Sequence, residues 1–131
     1  MLLKHHDLDD DVENLAFRVI GCCIKVHREL GPGLIEPAYA RATRLELRAS
    51  NIPFEYEKRY PILYQGIQVY VHRLDLVVDR KMIVEMKCVD VLHRVHEAQV
   101  RSCLKVSKLR LGLLINFNVA VLQHGIKRIV L

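Results

Sequence analysis

The sequence predicts a single α/β domain, residues 1–131, with a mixed sheet flanked by helices, and three observations carry that prediction. Its 131 residues suffice for one buried core and leave no room for a second full domain. Two amphipathic stretches open the chain, and from Phe54 onward β-branched and aromatic residues are broken by short polar turns. Helical spacing then returns before a nearly continuous apolar run, Leu111-Gly112-Leu113-Leu114-Ile115.

Val12, Leu15, Ala16, Val19, Ile20, Cys23, His27 and Leu30 recur at three-and-four spacing behind an aspartate cluster suited to a helix start, so a first helix is expected over residues 11–30. Gly31-Pro32-Gly33 breaks it. A second helix follows over 34–50, where Pro37 is tolerated because first-turn amides have no intrahelical partner. Strands are expected over 54–64, 67–78 and 82–89, joined at Gln65-Gly66 and Asp79-Arg80-Lys81 by turns short enough for antiparallel hairpins. A helix over 95–107 and a strand over 109–117, covered on both faces, come next. His124-Gly125 turns the chain into a last strand over 126–131.

At 51% hydrophobic and 27% charged residues the composition belongs to a folded protein, which excludes disordered and fibrous classes. No apolar run approaches the roughly 18 residues of a membrane helix, and Met1-Leu2-Leu3-Lys4 does not begin a signal peptide, so the expected location is cytoplasmic. Residues 1–13 hold one of the 20 bases and five of the 15 acids, and residues 1–11 are expected to form a flexible acidic segment. The rest keeps 19 bases against 10 acids, a balance that favours polyanions. Cys22, Cys23, Cys88 and Cys103 show no metal-ligand spacing and are expected reduced and mostly buried. No Trp is present and aromatics are only 6%, so the composition does not point to single-strand stacking.

The chemistry concentrates in Arg73-Leu74-Asp75-Leu76-Val77-Val78 and, past a short turn, Met82-Ile83-Val84-Glu85-Met86-Lys87-Cys88. Strand alternation puts Glu85 and Lys87 on one face with Ile83, and Met82, Val84, Met86 and Cys88 on the other. A three-residue loop would pair Val78 with Met82, set Asp75 opposite Glu85 and Arg73 opposite Lys87. Two facing carboxylates repel unless they share a proton or bind a divalent cation, and magnesium commonly takes one or two carboxylates with waters and phosphates. Lys87 could then orient an attacking water, or could simply neutralise the acids as an ion pair.

Asp75 followed by Glu85-Met86-Lys87 resembles the metal-binding signature of the PD-(D/E)xK nuclease superfamily. Gly33-Leu34-Ile35-Glu36-Pro37-Ala38-Tyr39 is similar to the pattern that names the GxxExxY protein family. Further matches are Arg73-Leu74-Asp75-Leu76, His96-Glu97-Ala98-Gln99, Leu111 to Phe117 and Gly125-Ile126-Lys127-Arg128. The resemblance implies an αβββαβ restriction-endonuclease-like core and a divalent-metal-dependent nuclease, using Mg2+ or Mn2+ and taking DNA in preference to RNA. It implies catalytic roles for Glu36, Asp75, Glu85, Lys87 and Gln99, with Glu36, Asp75 and Glu85 as metal ligands. It also implies a nucleic-acid partner, no membrane, and a homodimer for cutting both strands. One departure stands out: Cys103 occupies the place where, in the subset of the superfamily with the helix glutamine, a tyrosine often follows four residues later.

Rival readings accompany each residue. Glu36 could be a first-turn acid favoured by the helix dipole, Gln99 a satisfied amide facing the sheet beside Leu92, Val95 and Val106, and His96 a capping residue. Tyr39 shares the face of Glu36 without a derivable role. Arg41, Arg44 and Arg48, and later Arg94, Arg101, Lys105 and Lys108, form either a nucleic-acid track or solvated faces. The alternative function is an inactive nuclease-like module that binds nucleic acid or protein without cutting; a hydrolase of small phosphorylated molecules is a third.

Overall fold

The computed structural model describes residues 8–131. Helices α1 (Asp10–Leu30) and α2 (Glu36–Ala49) precede strands β1 (Phe54–Tyr64), β2 (Ile67–Val78) and β3 (Met82–Lys87). Helix α3 (Arg94–Ser107), β4 (Leu111–Asn116), a short 3-10 turn at Leu122–Gly125 and β5 (Ile126–Val130) follow. The five strands lie in sequence order in one sheet, antiparallel except where β3 and β4 run parallel from Met82–Leu111 to Lys87–Asn116. A parallel pair requires a crossover, and α3 supplies it. The predicted single α/β domain with a mixed sheet flanked by helices is the architecture observed, consistent with a restriction-endonuclease-like core.

Most boundaries agree with the sequence to within two residues. Of the acidic segment expected to be flexible, residues 1–7 lie outside the described residues, whereas Leu8 is buried and Asp10 and Asp11 already form the first turn of α1. Strand β3 stops at Lys87, two residues early, because the Asn116 side chain takes over the hydrogen bonding of Val89. No helix among the described residues is long and apolar enough to cross a membrane.

The sheet has two dry faces. On one, Leu15, Val19, Tyr39 and Leu47 of α1 and α2 pack with Leu76, Val84, Leu113 and Phe117. On the other, Val100, Cys103 and Leu104 of α3 pack with Leu74, Val77, Ile83 and Leu114. Gly112 permits the close approach of α3, since a Cβ there would lie 2.5 Å from Val100 Cγ1. Glu13 of α1 and Arg128 of β5 form a largely buried ion pair at 2.6 Å. All four cysteines are free, three of them buried and Cys88 partly so.

Strands β1 and β2 are about twice as long as the others, and β3 pairs only with the last three residues of β2. Their outer part is therefore a two-stranded arm. Leu63, Tyr64, Ile67, Val69 and Tyr70 stand on it 58–68% exposed. A register shift between Ile62 and Leu63 bends it, and Gln65 and Gly66, both at positive φ, close the tip.

Strand β2 also changes face part-way along. Leu74 packs under α3, whereas Leu76 packs under α1 and α2, although both have the same parity. The inversion is centred on Asp75, whose neighbour across the ladder, Glu57, sits at φ 52° and drops out between the Tyr56–Leu76 and Lys58–Leu74 pairs.

Candidate active site

The turn at Asp79 and Arg80, both in left-handed backbone, sets Val78 opposite Met82, as the three-residue loop predicts. Two more pairs follow, Val77–Ile83 and Leu76–Val84, and then the ladder gives way to side chains. The Asp75 N–H donates to Glu85 Oε1 at 2.9 Å, and the Met86 N–H donates to Asp75 Oδ2 at 2.8 Å. Asp75 and Glu85 are thus adjacent across the strands. The expected pairing of Arg73 with Lys87 is not part of the ladder, because the two carboxyl groups are inserted where its next rungs would form.

Taking the acids out of water dominates their electrostatics. Burial pushes the Glu85 carboxyl up to about 8, with the charge of Asp75 adding to the rise and Lys87 opposing it. Asp75 is raised as well, again by burial first, while the Met86 N–H and Lys87 pull it back. Both carboxyls are thus raised, and the pair retains a proton that isolated carboxylates would have lost.

Glu36 joins them from the first turn of α2. It lines a cavity of about 530 Å³ with Asp75, Glu85, Lys87 and Arg73. Its carboxyl is raised by burial and then by Asp75, and lowered by Lys87. Tyr39, which sequence alone left without a role, holds this turn in place. The ring is fully buried and stacked on Phe117 at 4.7 Å, and the hydroxyl donates to the Gly31 carbonyl while accepting the Leu34 N–H. Gly33, at φ 102°, makes the bend that such a clamp needs.

Gln99 lies on the other side of the acids. A second cavity, of about 630 Å³, is lined by Gln99, His72 and His96 and shares Arg73, Glu85 and Lys87 with the first. The expectation that Gln99 faces the sheet is corrected: it is exposed at the cavity mouth, and Val95 is 57% exposed. The buried face of α3 begins only at Val100, where the helix comes down over Gly112, so its first turns overhang the cleft. His96 caps this helix, accepting the His93 N–H at its Nδ1. Cys103 is buried at the back, its thiol pushed up to about 12 by burial and then by Glu85.

The sequence reading missed two contributors. Arg73, to which the sequence assigned no site role, lines both cavities; its signals were its place in Arg73-Leu74-Asp75-Leu76 and its expected position opposite Lys87. Asn116 is buried; its Nδ2 donates to Val89 O, its Oδ1 accepts the Val89 and Asn118 N–H groups, and the next residue, Phe117, donates to Lys87 O at 2.9 Å. A polar residue ending an apolar strand was the clue. Together these contacts fix the chain on which Lys87 sits.

Among the described residues no three His, Cys, Asp or Glu side chains converge as a ready-made metal cluster. A pair of acids compressed against each other is nonetheless the donor chemistry that magnesium takes when waters and phosphates complete its shell. Asp75 and Glu85 fit that role, with Glu36 across the cavity.

A family model described as the PD-(D/E)XK nuclease superfamily matches residues 13–129. Neither a curated protein nor a solved structure matches the chain. The match runs from Glu13 in α1 to Ile129 in β5 and so spans every element that builds the cleft, and the chain therefore belongs to the PD-(D/E)XK nuclease superfamily.

Proposed function

We propose that the protein is a divalent-metal-dependent nuclease that hydrolyses phosphodiester bonds in DNA in preference to RNA, and that it falls within the GxxExxY family. One observation carries this: two hydrogen-bonded, largely buried carboxyl groups share a cleft with Glu36 and Lys87 in a net basic body. Asp75, Glu85 and Glu36 would hold Mg2+ or Mn2+. Such an ion, when bound, polarises a phosphoryl oxygen and acidifies water.

The chain's own groups then have distinct tasks. Lys87 donates to the attacking water and offsets negative charge growing at phosphorus, Arg73 holds the flanking phosphate between the two cavities, and Gln99 contacts the strand at the α3 side. The backbone N–H groups of Asp75 and Met86 keep the acids aimed into the cleft. A homodimer and a cytoplasmic location belong to the same proposal.

The test is cleavage of plasmid and oligonucleotide DNA and of RNA with magnesium or manganese. Asp75→Asn and Lys87→Ala should each lower the rate by about 10²-fold or more while leaving the melting transition in place. Undiminished cleavage in both variants would overturn the assignment. Salt-sensitive DNA binding with no turnover under either ion would instead favour the non-cutting module, for which the buried Cys103 in the tyrosine's place is the motivating observation.

A further inference from the structure

Twelve consecutive residues, Tyr60–Val71, contain no Asp, Glu, Lys, Arg or His in a chain that is 27% charged. They form the arm, and Leu63, Tyr64, Ile67, Val69 and Tyr70 expose 58–68% of their surface on it. Beyond Tyr60, which packs partly against the α3 cluster, the ribbon is exposed and apolar, which is costly in water unless a partner covers it. Five of the eight aromatics, Phe54, Tyr56, Tyr60, Tyr64 and Tyr70, lie on this one hairpin.

Charge changes abruptly at the root. Arg59 and Arg73 are directly paired across the ladder, both exposed, and Arg73 lines both cavities of the cleft. Like charges in facing positions repel, and an anion between them relieves the repulsion. Arg44 and Arg48 of α2 lie over the Tyr56 and Phe54 rings at 4.6 and 5.1 Å, extending the cationic border. The order is thus acids, then cations, then a neutral aromatic and aliphatic tip.

We propose that the arm is a base-contacting wedge: the arginine pair seats a backbone phosphate, and the Tyr64–Ile67 tip packs against unstacked bases of the same nucleic acid. This rests on the nuclease reading above and adds to it a preference for substrates with unpaired bases near the cut. Six residue steps run from Arg73 to Ile67, about 20 Å at 3.3 Å per strand residue, the length of about six stacked nucleotides and of fewer where bases are unstacked. A neutral tip fits bases, which carry no charge, and a basic root fits phosphates, which do.

The experiment measures affinity by fluorescence anisotropy in EDTA, so that cleavage does not intervene. A matched duplex is compared with one carrying a six-nucleotide unpaired stretch with 2-aminopurine in it. The wild-type chain should bind the unpaired substrate more tightly and change the 2-aminopurine signal. Tyr64→Ser combined with Ile67→Ser should lose about tenfold on that substrate and abolish the signal change. Phe17→Ser, an equally exposed apolar residue on α1, should change neither. Wild-type affinity in the tip variant would overturn the proposal. So would a tip variant that turns a sedimenting dimer into a monomer with DNA affinity intact, which would make the arm's partner a second copy of the chain. Absence of any nucleic-acid binding by the wild type would overturn the nuclease reading along with it, whereas the first two outcomes leave that reading standing.

Discussion

Strands β2 and β4, with β3 between them in the sheet, are opposite in character. Every residue of β4 is buried, its pairs with β3 run unbroken for six residues, and β5 completes its other edge. Strand β2 is exposed at one end, buried at the other, and inverts at Asp75 between them. Regular strands give the domain its rigidity, and the irregular one carries its chemistry. Backbone groups released by the interrupted ladder become the donors that orient Asp75 and Glu85, so the defect and the site are one feature.

That contrast can be broken from either side. The largest stability loss belongs to β4: Leu113→Ala should cost about 2–5 kcal/mol in chemical denaturation, since the site is fully buried between packed layers. A smaller loss is expected where β4 hands over to the cleft. Asn116→Ala strips two hydrogen bonds from Val89 and one from Asn118 and should cost roughly 1–3 kcal/mol, with cleavage falling as Lys87 loosens.

In the inverted region the sign reverses. Burial holds the Glu85 carboxyl at about 8, above its ordinary 4.5, so the folded metal-free protein keeps a proton that the unfolded chain has released. Its contribution is fully present below pH 4.5 and is lost as pH rises towards 8. Glu85→Gln should therefore stabilise the metal-free protein at pH 8 by roughly 1–2 kcal/mol and flatten its melting temperature against pH, while cleavage is lost. A melting profile in Glu85→Gln that still falls as steeply as the wild type would contradict this account. On the arm the effect should vanish: Leu63→Ser, at a 60% exposed position, should shift stability by no more than about 0.5 kcal/mol.

How much of this was legible follows from the range of the forces involved. Element order came from local periodicity, and Gly31-Pro32-Gly33 and Gln65-Gly66 marked their breaks correctly. The adjacency of Asp75 and Glu85 was legible because a three-residue loop fixes strand register within a few residues of itself. The inversion at Asp75 was not, since it depends on Glu57 taking a left-handed conformation that its side chain does not announce. Periodicity found the Gln99 face of α3 but not where along that face contact with the sheet starts, which Gly112 decides. The clustering of aromatics on one hairpin was legible, because Phe54, Tyr56, Tyr60, Tyr64 and Tyr70 fall within 17 consecutive residues; their exposure was not, because it depends on β3 pairing only with the last three residues of β2.

Tyr39 and Phe117 lie 78 positions apart yet stack face to face beneath the turn that presents Glu36. The heptapeptide Gly33 to Tyr39 is in that sense half of a mechanical joint, whose socket is cut in a distant strand end. A chain carrying the same seven letters without an aromatic at the socket would spell the pattern and lack the hinge pin, and its acid would swing loose. Whoever transplants this loop must move both halves.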